Sequence, residues 1–221
     1  MRNVFLFAAR IAPIDPAAAL PAAPERLRQL KQIRHPDARL RSLTAELLLC
    51  YVVRKLRPAR ISIPPIRQAT AQGKPYFAEN PAFQFSISHS GDWVILAVSD
   101  VPLGVDLERR GAAKPQVVRR YFHKSEQDFF FSLPAARQAE AFYAFWVLKE
   151  SAVKARGTGM HLPFSRFAVS LDPPRLNGFS CETRLMLPGF CDPAYALGLC
   201  ALTGEKLHPS LEVVPAHKLF V

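Results

Sequence analysis

Residues 145–160 read FWVLKESAVKARGTGM, the end of a strong helical pattern that starts near Ala135. At the usual rise per residue, this pattern predicts a helix roughly 30 Å long. Gly157 and Gly159 follow it, and glycine commonly ends helices because it adopts the left-handed conformation without strain. Strand-like stretches come next, so this half of the chain runs helices first and then strands, at 167–171, 179–187 and 195–202.

The first half of the chain follows the same order. Pro24 and Pro36 each open a helical stretch, and Pro58 stops the second one. Strands follow, because 83–87 alternates apolar and polar residues and 93–99 is almost continuously apolar. Helices followed by antiparallel-looking strands in both halves predict an α+β fold of two lobes with a cleft between them.

One face of the long helix carries side chains suited to a reactive site. Trp146, Glu150 and Lys154 are spaced by four, so they share that face. Trp146 can anchor the helix in the core, Glu150 can supply an oxygen ligand to a metal ion, and Lys154 can contact a phosphate. An ordinary surface ion pair between Glu150 and Lys154 is the alternative interpretation of this spacing.

Two more acidic residues lie in the segment LGVDLERR, residues 103–110. Asp106 and Glu108 are two apart on a predicted strand, so both side chains point to the same side. Carboxylates this close repel each other, and a hard divalent cation such as Mg²⁺ relieves the repulsion. The alternative is an exposed acidic pair that Arg109 and Arg110 neutralise.

A third segment of interest is FSISHSGDW, residues 85–93. His89 follows a strand and precedes a tight turn, with Ser88 and Ser90 beside it, so its ring can bind a phosphate oxygen. A Ser-His-Asp triad is a competing idea, but the chain has no G-x-S-x-G nucleophile elbow. A purely structural histidine is the other alternative.

Basic charge is concentrated in the first third of the chain. The 221 residues include 29 Lys and Arg and 18 Asp and Glu, and residues 1–75 alone carry a net charge of +10. Such a surface predicts a polyanionic partner: nucleic acid, a phosphorylated cofactor, an acidic protein or anionic lipid. No RNA-binding or helix-turn-helix signature occurs, and a merely solvated basic face is the alternative.

Composition predicts the compartment. A hydrophobic fraction of 49% is globular, and no apolar run approaches the roughly 20 residues of a membrane span. Val4–Ala9 is too short for a signal peptide and is interpreted as a first strand, which predicts a cytoplasmic protein. The four cysteines lack zinc-site spacing, and Cys50 and Cys200 are predicted to be buried.

Taken together, these segments resemble the Sfp-type 4′-phosphopantetheinyl transferases. The resemblance rests on GKPYF at 73–77, FSISHSGDW at 85–93, GVDLE at 104–108 and FWVLKESAVKARGTGM at 145–160, in that order. The family pattern is roughly G-[IV]-D-x-E followed by W-x-x-K-E-[AS]-x-x-K-x-x-G-x-G-[LM]. The chain matches every fixed position of this pattern: Gly104, Val105, Asp106, Glu108, Trp146, Lys149, Glu150, Ser151, Lys154, Gly157, Gly159 and Met160.

The resemblance implies a fold and a reaction. The fold would be two similar α/β lobes related by a pseudo-twofold axis, with 1–103 on the nucleotide side of coenzyme A and 104–221 holding the metal and the carrier protein. The reaction would be Mg²⁺-dependent transfer of the 4′-phosphopantetheine arm from coenzyme A to a serine of an acyl, peptidyl or aryl carrier. Adenosine 3′,5′-bisphosphate would be released, and the enzyme would serve fatty acid, polyketide or nonribosomal peptide assembly as a monomer.

The resemblance also implies a role for individual residues. Asp106, Glu108 and Glu150 would hold Mg²⁺. Lys154 and His89 would contact the diphosphate and the 3′-phosphate end of coenzyme A. The chemistry of the transfer adds two expectations: Glu150 accepts the serine proton, directly or through a metal-bound water, and Lys154 stabilises the departing bisphosphate. The remaining contacts to coenzyme A would come from Arg26, Arg41, Ser42, Lys74, Pro75 and Ser88.

The first helix departs from the family at one position. Arg26 matches a basic residue near the 3′-phosphate of coenzyme A. A second basic residue of that helix falls on Gln29 here, and Arg28 or Lys31 is expected to substitute for it.

The carrier protein is expected to dock at Val117–Phe131 of the second lobe. This segment holds more aromatic side chains than one helical core stripe can cover: Tyr121, Phe122, Phe129, Phe130 and Phe131. A helix of the carrier would lie in a groove there, and the acidic surface of such carriers would complement the basic charge. The alternative interpretation is that most of these rings belong to the core.

Two other functions compete with the transferase. A basic nucleic-acid-binding module explains the charge but leaves Asp106, Glu108 and Glu150 without a role. An inactive homologue that binds coenzyme A is the second alternative, and the intact set of expected ligands argues against it.

Overall fold

The structure is a computed structural model that describes residues 1–12 and 23–220, without the side chain of Met160. Its helices are α1 (Pro24–Lys31), α2 (Pro36–Leu56), α3 (Pro115–Tyr121), α4 (Lys124–Ser132) and α5 (Ala135–Arg156). Its strands are β1 (Arg2–Arg10), β2 (Gln68–Ala69), β3 (Pro75–Tyr76), β4 (Gln84–Ser90), β5 (Trp93–Ser99), β6 (Leu103–Arg109), β7 (Ala168–Leu171), β8 (Pro174–Asn177), β9 (Arg184–Met186), β10 (Tyr195–Ala201) and β11 (Leu207–Val213).

Two main sheets are built with the same chain order. The first has strand order β11-β1-β5-β4 and the second β6-β10-β9. In each sheet, a strand that precedes the long helix of its half pairs antiparallel with a strand that follows that helix. These pairs are β1 with β5 and β6 with β10. The central strands β5 and β10 are buried along their whole length, as their apolar sequences predict.

Three apolar layers hold the two sheets and their helices together. Helix α2 covers the outer face of the first sheet, where Leu48 packs with Phe85 and Leu96. The inner faces of both sheets meet in a second layer. Helix α5 covers the second sheet in a third layer with α3 and α4. This stacking places β6, on which α5 rests, directly beside β4.

Glycines let α5 lie unusually close to its sheet. A Cβ atom at Gly104 of β6 would stand 2.0 Å from the carbonyl oxygen of Ser151 and 2.4 Å from the backbone nitrogen of Ala155. A Cβ at Gly198 of β10 would stand 2.4 Å from the carbonyl oxygen of Val147. The helix backbone therefore rests on two strands where no side chain intervenes.

The helices and most strands confirm the sequence predictions, and α5 has the predicted bounds. The predicted strand 179–187 is wrong in length, because only Arg184–Met186 pairs with β10. Strand β11 was not predicted; it runs parallel to β1, so residues 207–213 extend the first sheet although they follow the expected lobe boundary at residue 103. No helix in the described part of the chain is both long and apolar enough to cross a membrane.

Candidate active site

A cavity of about 470 Å³ collects residues from both halves of the chain. Arg26, Ser42, Pro75, Ser88 and His89 line it from the first half, together with Ala45, Arg67 and Ile87. The second half contributes Asp106, Glu108, Trp146, Glu150 and Lys154. Nine of the eleven predicted site residues therefore border one space, and the other two are Arg41 and Lys74.

Alternating serines of β4 fix strand β6 at this cavity. The hydroxyl oxygens of Ser86, Ser88 and Ser90 accept hydrogen bonds from the backbone N–H groups of Val105, Leu107 and Arg109, at 3.1, 3.2 and 3.0 Å. Both strands have a side-chain period of two, so the same register repeats three times. We call this set of contacts the serine ladder. It joins the edges of the two main sheets through side chains.

Two serines of the ladder, Ser88 and Ser90, also form hydrogen bonds with the acidic side chains. Ser88 Oγ donates to Asp106 Oδ1 at 2.9 Å, and Ser90 Oγ donates to Glu108 Oε2 at 2.8 Å. The two carboxylates therefore point to the same side of β6, which confirms the period-two prediction.

Lys154 completes the environment of Asp106. Its ammonium lies 2.6 Å from Asp106 Oδ1 and also donates to Ser88 Oγ and to the carbonyl of Val105. Asp106 is 3% exposed, and its Oδ2 atom has no hydrogen-bond partner among the described residues. Burial raises the pKa of Asp106, while Lys154 and Ser88 oppose that shift.

The three acidic side chains repel each other electrostatically. Burial raises the pKa of Glu150, and the negative charges of Asp106 and Glu108 raise it further. Burial also raises the pKa of Glu108, and the charge of Asp106 adds to that shift. Carboxylates from a strand and a helix thus converge on one space, where any bound cation would relieve their repulsion.

A divalent cation fits this set of donors by its chemistry. All three groups are carboxylates, which hard cations prefer, and Asp106 Oδ2 is a buried acceptor with no partner in the described residues. As the side chains stand, no three His, Cys, Asp or Glu residues within 1–12 and 23–220 are gathered closely enough to hold a metal ion together. The positive charge that lies against Asp106 here is the ammonium of Lys154.

His89 stands exposed at the rim of the cavity. Partial burial of its ring lowers its pKa, and the positive charges of Arg41 and Lys154 lower it further. The ring is therefore neutral at pH 7 and can donate one hydrogen bond and accept another. Arg41 itself donates to the carbonyl of Gly91, in the turn after His89, at 3.4 Å.

Lys74 lies against the end of α5 instead of lining the 470 Å³ cavity. Its ammonium donates to the carbonyl of Ala155 at 2.8 Å and to that of Leu103 at 3.5 Å. It borders an adjoining, mostly apolar cavity of about 340 Å³, which shares Glu150 and Lys154 with the first. Burial lowers the pKa of Lys74 to about 8.

A buried carboxylate holds two arginines that line the cavity. Glu46 of α2 is 2% exposed, and its Oε2 lies 2.7 Å from Arg67 Nη2 and 3.3 Å from Arg26 Nε. We call these three residues the arginine cluster. Sequence reasoning identified Arg26 but not Arg67, which follows a proline-rich stretch without periodicity. The isolated Glu in the apolar run AELLLC was the signal, because a buried carboxylate requires a cationic partner.

The fixed lysine of the motif, Lys149, is part of the core. It is fully buried, pairs with Glu126 Oε1 at 2.8 Å, and donates to the carbonyls of Phe164 and Phe167. Glu126 also accepts from the backbone N–H of Val169 and caps α4. This buried pair connects α4 and β7 to α5, one residue before Glu150.

The aromatic segment 117–131 divides between core and surface. Phe122 and Phe130 are buried, whereas Tyr121 and Phe129 are 46% exposed and Phe131 is 37% exposed. Arg119 lies 4.4 Å above the ring of Phe131, and Arg120 lies 5.3 Å above that of Tyr121. We call these exposed rings and arginines the aromatic–arginine surface.

Comparisons with known proteins place both halves of the chain in one family. Residues 102–191 match the family model described as 4′-phosphopantetheinyl transferase superfamily. Residues 17–101 match the model described as 4′-phosphopantetheinyl transferase, N-terminal.

Two curated relatives match this chain over most of its length. The 4′-phosphopantetheinyl transferase Sfp of Bacillus subtilis (strain 168) is 32% identical over 81% of this chain and 81% of its own. The transferase psf-1 of Bacillus pumilus is 32% identical over 81% of this chain and 76% of its own. The crystal structure of Thermotoga maritima holo-[acyl-carrier-protein] synthase aligns with a TM-score of 0.38 and 24% identity, over 48% of this chain and 65% of that one.

Proposed function

Because this chain belongs to the Sfp-type 4′-phosphopantetheinyl transferases, an enzyme family, we propose that it moves the phosphopantetheine arm of coenzyme A onto a carrier protein. One observation carries the proposal: carboxylates of β6 and α5 share a cavity with arginines from the basic first third. A ligand with phosphates at two points needs both sets of groups, and coenzyme A has a diphosphate and a separate 3′-phosphate.

The transfer is a displacement at phosphorus. The serine oxygen of the carrier forms a bond to the phosphorus next to the pantetheine arm, and the bond from that phosphorus to the bridging oxygen breaks. Adenosine 3′,5′-bisphosphate leaves. Glu150 would accept the serine proton; in support, it lines the cavity, and its raised pKa suits a general base. Such reactions depend on positioning and charge neutralisation more than on covalent catalysis.

We assign the other cavity residues to metal binding, stabilisation of the leaving group and nucleotide binding. Asp106, Glu108 and Glu150 would hold Mg²⁺, which supplies Lewis-acid neutralisation of diphosphate charge. Lys154 would stabilise the departing bisphosphate, with His89 as a neutral hydrogen-bonding group at the rim. The nucleotide would be held by Arg26, Arg41, Ser42, Lys74, Pro75 and Ser88. Ser88 would act through Asp106 and Lys154, the two groups it contacts.

We further propose that the carrier docks on the aromatic–arginine surface. Exposed aromatic rings under guanidinium groups combine apolar area with positive charge, which suits an acidic helix. The matching strand orders β1-β5-β4 and β6-β10-β9 support two lobes related by a pseudo-twofold axis with the active site between them. A monomer in the cytoplasm, serving fatty acid, polyketide or nonribosomal peptide assembly, completes the proposal.

A carrier-loading assay tests this function. The purified chain is incubated with coenzyme A, Mg²⁺ and a panel of apo acyl, peptidyl and aryl carriers, and mass spectrometry follows the gain of the arm. Loading of at least one carrier, lost when its acceptor serine is replaced by Ala, is the expected result. Absence of a mass gain on every carrier, with a folded enzyme and saturating coenzyme A, overturns the proposal. Binding of coenzyme A without loading would identify an inactive homologue.

A further inference from the structure

The arginine cluster lies where two cavities adjoin. The 470 Å³ cavity shares Arg26, Arg67 and Pro75 with a second cavity of about 430 Å³, which Glu46 and Gln29 also line. None of the three carboxylates of the proposed reaction centre borders this second cavity, and neither does Lys154. The arginine cluster therefore lies between the 470 Å³ cavity, which holds the reacting groups, and the 430 Å³ cavity, which those groups do not line.

The cluster carries one more positive charge than negative charge. The carboxylate of Glu46 neutralises one of the two guanidinium groups in the cluster. The Glu46 side chain is 2% exposed, so little water reaches its carboxylate. The Arg67 side chain is 20% exposed and borders both cavities, and its Nη1 atom has no hydrogen-bond partner in the described residues. A guanidinium fixed on one edge by a carboxylate still presents N–H groups to an anion, in a planar fork that matches phosphate.

The other cations are committed elsewhere or stand outside. Among the described residues, only Arg26, Arg67 and Lys154 are Lys or Arg side chains that line the 470 Å³ cavity. Lys154 is paired with Asp106. Arg28 and Lys31, the expected substitutes on α1, are exposed and line neither cavity. Gln29 accepts a hydrogen bond from Arg26 Nη1 at 3.2 Å, so it supports Arg26 without adding charge.

We propose that Arg67, oriented by Glu46, binds the 3′-phosphate of coenzyme A together with Arg26. This inference rests on the proposed function, because it assigns a phosphate of that substrate. The diphosphate must lie beside Asp106, Glu108 and Glu150, where the displacement occurs. The 3′-phosphate is the remaining anion, and the arginine cluster is the remaining positive site. Arg67 thus supplies from a loop the second cation that α1 lacks at Gln29.

Ligand binding without a carrier tests the assignment. Calorimetry compares adenosine 3′,5′-bisphosphate with adenosine 5′-monophosphate, which differ only in the 3′-phosphate. The wild-type chain is expected to prefer the bisphosphate, and Arg67→Gln is expected to reduce the ratio of the two affinities about 10- to 100-fold, the usual worth of a charged hydrogen bond. The same variant should lose discrimination between coenzyme A and 3′-dephospho-coenzyme A in KM, with kcat for coenzyme A little changed.

Two further variants separate binding from structure. Arg57→Gln removes an exposed charge of the same lobe beyond the far end of α2, about 22 Å along the helix from Ser42, and should leave the ratio unchanged. In the double variant Glu46→Gln/Arg67→Gln, no buried carboxylate lacks its partner, so folding is protected if the single variant unfolds. If Arg67 only balances Glu46, the double variant regains the wild-type ratio.

Each outcome decides between the two proposals. An unchanged ratio in folded Arg67→Gln, a regained ratio in the double variant, or no preference in the wild type overturns the role of Arg67, even if the chain loads carriers. A preference that depends on Arg67, in a chain that loads no carrier, overturns the transferase and leaves the phosphate site standing.

Discussion

The ammonium of Lys154 lies 2.6 Å from Oδ1 of Asp106, one turn beyond Glu150 on α5. The two residues are 48 positions apart in the sequence, and the pair joins the motif GVDLE to the motif FWVLKESAVKARGTGM. It exists because α5 contacts β6 at Gly104, two residues before Asp106. The free oxygen of Asp106 and the two neighbouring carboxylates then determine what changes in this cavity should do.

Replacement of Glu150 by Gln should abolish most activity and stabilise the fold. Loss of the proposed proton acceptor should lower kcat by about 100-fold or more. Removal of a half-buried charge that two carboxylates repel should raise the free energy of unfolding by about 1 kcal/mol at pH 7, or about 2–4 °C in Tm. The carrier-loading assay and thermal melts measure the two effects.

The stabilisation from Glu150→Gln should depend on pH with a defined sign. The pKa of Glu150 is raised in the folded chain, so its charge destabilises that state above the folded pKa. The gain should therefore be complete above the folded pKa and vanish below 4.5, the ordinary pKa of glutamate, where the carboxyl is protonated in both states. Glu140→Gln, at an exposed position of the same helix, is the matched control and should change neither quantity. A destabilised Glu150→Gln would contradict the inferred repulsion.

The serine ladder offers a matched pair of variants. Ser86→Ala and Ser90→Ala each remove one acceptor of a backbone N–H of β6, and each should cost about 1 kcal/mol of stability. Only Ser90 also holds Glu108. The Mg²⁺ concentration for half-maximal loading should therefore rise about 10- to 100-fold in Ser90→Ala and stay near wild type in Ser86→Ala. Equal Mg²⁺ requirements in both variants would show that the bond to Glu108 has no part in cation binding.

Local periodicity explains what could be predicted from the sequence. The spacing of Trp146, Glu150 and Lys154 depends only on the helical repeat, and that of Asp106 and Glu108 only on the strand repeat. Both sets line the same cavity. The bounds of α5 were predictable for the same reason, because a helix and its glycine stop are adjacent in sequence.

Contacts between distant segments could not be predicted in this way. Strand β11 pairs with β1 about 200 residues away, and neither sequence specifies the other. The alternating serines of β4 are visible in FSISHS, but their partners are backbone N–H groups, which every strand has. Arg67 has no periodic context, and only its pairing with Glu46 identifies it.

Gly104→Ala should disrupt the site by separating α5 from β6. The new Cβ would stand 2.0 Å and 2.4 Å from backbone atoms of Ser151 and Ala155, and no side-chain rotation can relieve such contacts. Overpacking of this kind costs about 1–3 kcal/mol or more, and activity should fall with it because Asp106 moves relative to Lys154. Urea unfolding and carrier loading measure both. Gly189→Ala is the control, since among the described residues no atom outside its own chain neighbours lies within 4 Å of its Cβ position. If both variants are as stable as the wild type, the close contact at Gly104 is refuted.

Lys74 should make the stability of the chain rise with pH in a definite window. Burial lowers its pKa to about 8, from 10.5 in the unfolded chain, while its ammonium donates to the carbonyl of Ala155 at the end of α5. Between these pH values the unfolded state binds the proton and the folded state does not, so the free energy of unfolding increases with pH.

Lys74→Met keeps the aliphatic stem that lies against Gly157 but removes the titrating group. The difference in unfolding free energy, wild type minus Lys74→Met, should therefore increase from pH 8 to pH 10 in urea titrations. Lys31→Met, which removes an exposed lysine of the same lobe, is the control and is measured in the same way. A flat line for Lys74→Met would mean that burial does not lower the pKa of Lys74 in the folded chain.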